Sequence, residues 1–280
     1  PFAIDTGATQ SALYRSTVRK LDLKTSENAK VKVHGMNEIS QRPTAIVPHI
    51  RMGSQALTNV RMAVLKDRID PIDTTIRLAG LIGMDIMDAY RIYVDADEET
   101  FNLIPRAMPE PRIPMQWQTV NLYENPFQDD HHNLHFMQIR VGNHLLPALL
   151  DTGSEENLMS WSVSKFPQLR RARKRLYEEW VIDGAVGTFD PRYLITTKNI
   201  RSGQKYWDES EFIVMDFDGL DILGVSDQPF LIAGSPMLAK QTFYVDFAEN
   251  IIRFKPGLVT RRARSLTNAA TVYRERDTAQ

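Results

Sequence analysis

The chain has no cysteine among its 280 residues. That excludes a disulfide scaffold, a thiolate zinc site and a cysteine nucleophile, although it leaves the compartment open. It also lacks any apolar run long enough to span a bilayer, so no membrane segment is expected. An excess of charge of one sign is missing too. The formal net charge of -1 gives no general attraction to nucleic acid or to anionic membrane, and nucleic acid is not expected as a partner. The first residues do not have the make-up of a secretory signal. What is present is ordinary for a soluble globular protein. Hydrophobic residues at 42% suffice for a packed core, in one large domain or two small ones.

The informative feature is an internal repeat. "FAIDTGATQSALY" aligns with "ALLDTGSEENLMS", placing Asp5 on Asp151. Further on, "LIGMDIMDAYRIYVDADEETFNLIP" aligns with "IAGSPMLAKQTFYVDFAENIIRFKP", placing Gly83 on Gly234 and Tyr93-Val94-Asp95 on Tyr244-Val245-Asp246. The Asp-to-Gly spacing is 78 residues in the first half (83 minus 5) and 83 in the second (234 minus 151). Two blocks in the same order at nearly the same spacing mark a duplicated unit.

Between the blocks both halves read as strand and turn. "KVKVHGMNEIS" and "EEWVIDGAVGTFD" run into glycine-bearing turns, as hairpins do. "TAIVPHIRMGSQALTNVRMAVL" reads as short strands broken at Gly53 and Asn59, and "YLITTKNIRSGQKYWDESEFIVMDF" turns at Gly203. Before the second Asp-Thr-Gly stands a complete hairpin, "HFMQIRVGNHLLPALLDTGS", turning at Gly142-Asn143. The first copy starts inside the corresponding second strand, so a leading strand is expected to be missing ahead of Pro1. Short helices are expected in "SALYRSTVRKL" and "NLMSWSVSKF", after the two Asp-Thr-Gly turns, and in "MDIMDAY" and "SPMLAKQ", after the two glycines. The fold class expected is all-β with a few short helices, in two tandem units. Their expected bounds are 1–108 and 132–257. Between them lies a linker over 109–131, following four prolines at 105 to 114, and after them a charged, loose tail over 258–280.

A single Asp-Thr-Gly is a weak signal, because Asp and Gly are common turn residues. Two copies, each after an apolar strand and each followed by an apolar-apolar-Gly block, point to chemistry. Two carboxylates held close cannot both ionise easily, so they share one proton over a broad acidic range. The ionised member can take a proton from water and the protonated member can donate to a carbonyl oxygen. Gly7 and Gly153 let the backbone approach the carboxylates. Thr6 and Thr152 carry hydroxyls that can reach across to the opposite turn and lock the pair. Ala8 and Ser154 follow. A serine hydroxyl there could donate to its carboxylate and favour the charged form, leaving Asp5 with the shared proton; alternatively Ser154 caps a helix.

On these residues the chain resembles the retropepsin-like aspartic proteases, in the two-repeat single-chain form found in bacteria. The carriers are Asp5-Thr6-Gly7-Ala8, Asp151-Thr152-Gly153-Ser154, Leu81-Ile82-Gly83 and Ile232-Ala233-Gly234. The resemblance implies two β-barrel lobes related by a pseudo-two-fold axis, each giving one catalytic aspartate, with β-hairpin flaps over the cleft. It implies an aspartic endopeptidase acting on a protein or peptide substrate, without cofactor or metal, in a periplasmic or exported protein. The expected state is a monomer, an intramolecular pseudo-dimer. By position the flap tips fall at Gly35-Met36-Asn37 and Gly184-Ala185-Val186. The chain departs from the family in its missing leading strand, in Ala233 where a larger aliphatic residue is usual, in Ser235-Pro236 opposite Met84-Asp85, and in having no tip tyrosine. The alternatives are a peptide-binding or regulatory module with weak or absent hydrolysis, and lobes that pair between chains rather than within one.

Three further features have plainer readings. "DDHHNLH", with Asp129, Asp130, His131, His132 and His135, is expected as a solvated loop rather than a metal site. The basic run from Arg170 is expected as an exposed helix face, and Trp117 as a residue packed on a lobe.

Overall fold

The computed structural model describes residues 1–34, 39–67, 77–127, 133–176, 182–183, 188–189, 191, 193–217, 223–225 and 228–257. The expected flap tips, residues 128–132 and the tail from 258 lie outside the described residues.

The first unit runs β1 (Phe2–Ile4), β2 (Ala12–Tyr14), α1 (Arg15–Lys20), β3 (Thr25–His34), β4 (Ile39–Met52), β5 (Gln55–Leu65), β6 (Gly80–Ile82), α2 (Met84–Met87), β7 (Tyr90–Asp95) and β8 (Thr100–Pro105). After β9 (Gln118–Tyr123), the second unit begins with β10 (Phe136–Val141), β11 (His144–Leu150), β12 (Leu158–Ser160), α3 (Trp161–Ser164), α4 (Pro167–Ala172) and β13 (Arg173–Arg175). It continues through β14 (Ile182–Asp183), β15 (Thr188–Phe189), β16 (Tyr193–Ser202), β17 (Lys205–Met215), β18 (Leu231–Ala233), α5 (Ser235–Leu238), β19 (Phe243–Asp246) and β20 (Ile251–Phe254). The fold is all-β, in two retropepsin-like lobes with short helices.

The repeat read in the sequence is a repeat of strand order. One sheet runs β1-β6-β2-β5-β4-β3, and the matching strands of the second lobe run β11-β18-β12-β17-β16-β13. In each lobe the strand before Asp-Thr-Gly pairs in parallel with the apolar-apolar-Gly strand: Ile4 lies opposite Ile82, and Leu150 opposite Ala233. The residues expected as helix directly after the turns divide instead. Ala12–Tyr14 and Leu158–Ser160 are strands, and the helices start only at Arg15 and Trp161. The reason is burial: β2 and β12 are each inserted between two strands and completely buried. Their backbone groups therefore find partners in the sheet rather than in a helical turn. Asn59 does not break β5. It takes a positive φ of 53° while the register with β4 runs on past it. Gly142 and Gly203, with φ of 59° and 51°, turn the β10–β11 and β16–β17 hairpins.

The lobes meet in a shared sheet, with neighbours β8-β7-β19-β20-β9-β10. β7 and β19 pair antiparallel with Tyr93 opposite Tyr244. These two residues are equivalent in the repeat, so the pseudo-two-fold axis passes between them. β9 falls inside the stretch expected as a linker and pairs with both β20 and β10. Trp117, just before it, is 6% exposed and packs beside Tyr93. His135 is not in a solvated loop: it is 7% exposed, bonded through Nδ1 to Asn250 and set against the Phe247 ring.

One ion pair crosses the shared sheet. Arg91 on β7 donates from Nε to Asp246 Oδ2 on β19 at 2.7 Å, and from Nη1 to the carbonyls of Arg106 and Met108. Asp246, 1% exposed, also accepts from the Tyr244 hydroxyl and from the backbone N–H groups of Ala248 and Glu249. Burial works to raise this carboxyl, but the Arg91 bond and charge and the two N–H groups outweigh it and hold it below the ordinary 3.8. A depressed carboxyl contributes stability above its ordinary value and loses it as the pH falls through the depressed one. Arg91→Met leaves Asp246 buried without its cation. It should cost about 3 kcal/mol at neutral pH, and the gap to wild type should narrow below pH 3.8, measured by denaturant unfolding at both pH values.

Candidate active site between the lobes

Each Asp-Thr-Gly turn is held by its own lobe. Asp5 N–H donates to the Ile82 carbonyl and Asp151 N–H to the Ala233 carbonyl, so each turn continues the parallel ladder of the strand before it. The turns then rest on the apolar-apolar-Gly segments. Met84 N–H donates to Ala8 O, and Ser235 N–H to Ser154 O, both at 2.8 Å. A Cβ on Gly83 would press on the backbone of Ala8 and Gln10, and one on Gly234 on that of Glu156 and Ser154. Glycine is required at both places because a loop backbone passes directly over it.

A second tie on each side was not foreseen. Ser11, wholly buried, accepts from Gly83 N–H at 2.9 Å and donates from Oγ to Asp85 Oδ1 at 2.6 Å, and its own N–H meets the same oxygen. In the second lobe Asn157 does the same work alone. Its Oδ1 accepts from Gly234 N–H at 3.0 Å, and its amide donates to the Glu211 carbonyl. Ser11 and Asn157 each stand six residues after their aspartate (11 minus 5, 157 minus 151). The alignment of halves could have shown that both are short polar residues in an apolar setting.

The two turns then lock to each other. Thr6 Oγ1 donates to the Leu150 carbonyl at 2.7 Å and accepts from Thr152 N–H at 3.0 Å. Thr152 Oγ1 donates to the Ile4 carbonyl at 2.7 Å and accepts from Thr6 N–H at 3.1 Å. The structure therefore brings Thr6 and Thr152 together in the reciprocal arrangement that the doubled motif suggests. Asp5 and Asp151 lie on the two turns that this lock joins, each against the glycine of the opposite turn. A Cβ on Gly7 would overlap the Asp151 carboxylate, and one on Gly153 the Asp5 carboxylate. Each glycine thus makes room for the opposite acid.

The two acids are not equivalent. Asp5 accepts from Gly7 N–H at 3.0 Å, while Asp151 accepts from Gly153 N–H at 2.9 Å and from Ser154 N–H at 3.1 Å. Burial first, and the Asp151 charge second, push the Asp5 carboxyl well above the ordinary 3.8. Burial also raises Asp151, opposed by Gly153 N–H, by the Asp5 side chain and by Ser154 N–H. Burial raises both carboxyls, so the pair is expected to hold one proton between them. The Ser154 hydroxyl has no part in this: it donates to the Glu156 carbonyl at 2.7 Å. Nor does it cap a helix, since β12 comes before α3. The donor that distinguishes Asp151 is a backbone N–H, which any residue at 154 other than proline would supply.

Two outcomes are expected. Thr6→Val and Thr152→Val should each cost about 3 kcal/mol, because each strands a buried carbonyl and a buried N–H. The double variant should cost less than the sum, since both changes break one network, in denaturant unfolding of the three proteins. Ser154→Ala should lower stability by about 1 kcal/mol and leave the titration of the carboxyl pair, followed by NMR, where it was. An altered titration would give the hydroxyl a direct role.

Residues 1–86 match the family model described as Aspartyl protease. No curated protein matches the chain. The match contains Asp5, the Thr6-Gly7 turn, the 81–83 segment and the Ser11–Asp85 tie. The first lobe is thus similar to the aspartyl proteases over the matched residues, and the second repeats its architecture around Asp151.

Proposed function

We propose that the chain is an aspartic endopeptidase that hydrolyses peptide bonds of a protein or peptide substrate, with Asp5 and Asp151 acting as one unit on a water between them. The observation that carries this reading is the pair of carboxyls, one from each lobe, each seated against the opposite turn's glycine and held there by the Thr6–Thr152 lock. Both aspartates retain partial exposure, as a pair that acts on a bound substrate requires.

The chemistry follows from one proton shared by two acids. Asp151, ionised, takes a proton from the water as its oxygen attacks the scissile carbonyl carbon. Asp5, protonated, donates to the carbonyl oxygen, so no free oxyanion forms. The product is a neutral gem-diol, with the proton now on Asp151 and the charge on Asp5. Return of the Asp151 proton to the amide nitrogen, and of one hydroxyl proton to Asp5, breaks the C–N bond. It releases an acid and an amine and restores the starting protonation. No metal or cofactor enters the scheme. Leu81, Ile82, Ile232 and Ala233, all buried, hold the turns in the core and do not touch substrate. Gly35, Met36, Asn37, Gly184, Ala185 and Val186 are proposed as flap tips from their place in the chain. The hairpin pairs His34–Ile39 and Asp183–Thr188 frame them. Both lobes come from one chain and share the β7–β19 pairing, so the active unit is read as a monomer.

Asp5→Asn and Asp151→Asn should each lower kcat/KM on a denatured protein substrate by at least ~10³-fold, because either change removes one half of the proton cycle. The wild-type profile should be bell-shaped. Its acid limb reports ionisation of the pair and should lie above 3.8, since burial raises both carboxyls. Its basic limb reports loss of the shared proton. A single variant that kept most of its activity would end the shared-site reading.

A further inference from the structure

The basic run of the second lobe is not one helix face. It starts on α4, which ends at Ala172, and continues into β13, whose three residues are Arg173, Lys174 and Arg175. Lys165, Arg170, Arg171, Lys174 and Arg175 are exposed. Among the described residues none of these five, nor Arg173, stands within ion-pair distance of a carboxylate. By contrast Arg19, Arg91, Arg106, Lys198, Arg253 and Lys255 each have an acidic partner. In a chain of net charge -1, this is a local concentration of positive charge without an acidic partner among the described residues.

Two further observations say what fits it. β13 is the last strand of the large sheet and pairs only with β16, so one row of its backbone N–H and C=O groups faces outward among the described residues. An extended peptide can add to such an edge. The aromatic faces nearby are already taken. The Arg173 guanidinium lies 5.0 Å from the Trp161 ring centre and 5.4 Å from that of Tyr193, and the Lys165 ammonium lies 5.9 Å from Trp161. Among the described residues, cations thus already occupy Trp161 and Tyr193, the rings beside this edge, which disfavours base stacking there.

We propose that the α4–β13 edge is an exosite that binds an acidic, extended segment of the polypeptide substrate. Backbone pairing to β13 supplies registry, and the cations supply selection for Asp and Glu side chains. Arg173, clamped by the two rings, holds the edge in shape. The site lies on the chain just ahead of the β14–β15 hairpin. The proposal rests on the endopeptidase reading for its biological sense, but its test does not need cleavage.

The test uses the full chain carrying Asp151→Asn and a fluorescent oligoglutamate peptide. Binding should be saturable, should weaken steeply with salt, and should fall about tenfold or more in Arg170→Gln/Arg171→Gln/Lys174→Gln/Arg175→Gln. The same positions changed to Lys, where they are Arg, should keep it. Equal binding by wild-type and Gln surfaces would overturn the proposal and leave the cations as guards against edge-to-edge association. So would tighter binding of oligothymidylate or of phosphatidylserine vesicles through the same residues. Binding that holds while no substrate of any kind is cleaved by the parent protein would sink the endopeptidase reading and not the exosite.

Discussion

Two carboxylic acids in contact repel when both ionise, and burial makes each one costlier to charge. A site built on such a pair needs a frame that prevents the acids from moving apart. Here the frame is the reciprocal Thr6–Thr152 lock, four hydrogen bonds that run between the lobes and are mutually dependent. Each hydroxyl donates to a carbonyl that directly precedes the opposite aspartate. The position of either acid is thereby defined by the backbone of both lobes. Where the axis crosses the shared sheet, the β7–β19 pairing and the Arg91–Asp246 contact keep the lobes in that relation.

The duplicated frame is symmetric in strand order and asymmetric in its polar groups. Where the first lobe ties its turn with Ser11 and Asp85, the second uses Asn157, with Pro236 opposite Asp85. Where Arg91 neutralises the buried Asp246, its counterpart Thr242 faces Asp95 with a hydroxyl, 3.4 Å away. A single chain can let its halves diverge in this way, because each half needs only to fit the other and not a copy of itself.

Both central aspartates, both threonines and both glycine segments were legible from one sequence, because the repeat placed the same short motif twice at nearly equal spacing. The strand-rich character was legible from alternation and glycine turns. The residues after each motif misled: apolar runs of that length suit a buried strand or a helix equally, and only the partners on either side decided for β2 and β12. β9 was hidden for a similar reason. Its prolines lie upstream of the strand itself, and what makes 118–123 a strand is the edge offered by β20 and β10.

The sequence by itself thus determined that the chain is a doubled unit, which residues form its two acid turns, and that it carries no thiol. Those are properties of local motifs and of their recurrence. Only the tertiary structure decided that the two acid turns meet, because the hydrogen bonds that join them link residues 144 to 148 positions apart. It also decided that the Ser154 hydroxyl points away from the carboxylate, that Ser11 and Asn157 are structural ties, and that the basic run ends on an open sheet edge. Each of these is set by contacts between residues far apart in the chain, or by a backbone direction that residue type does not specify.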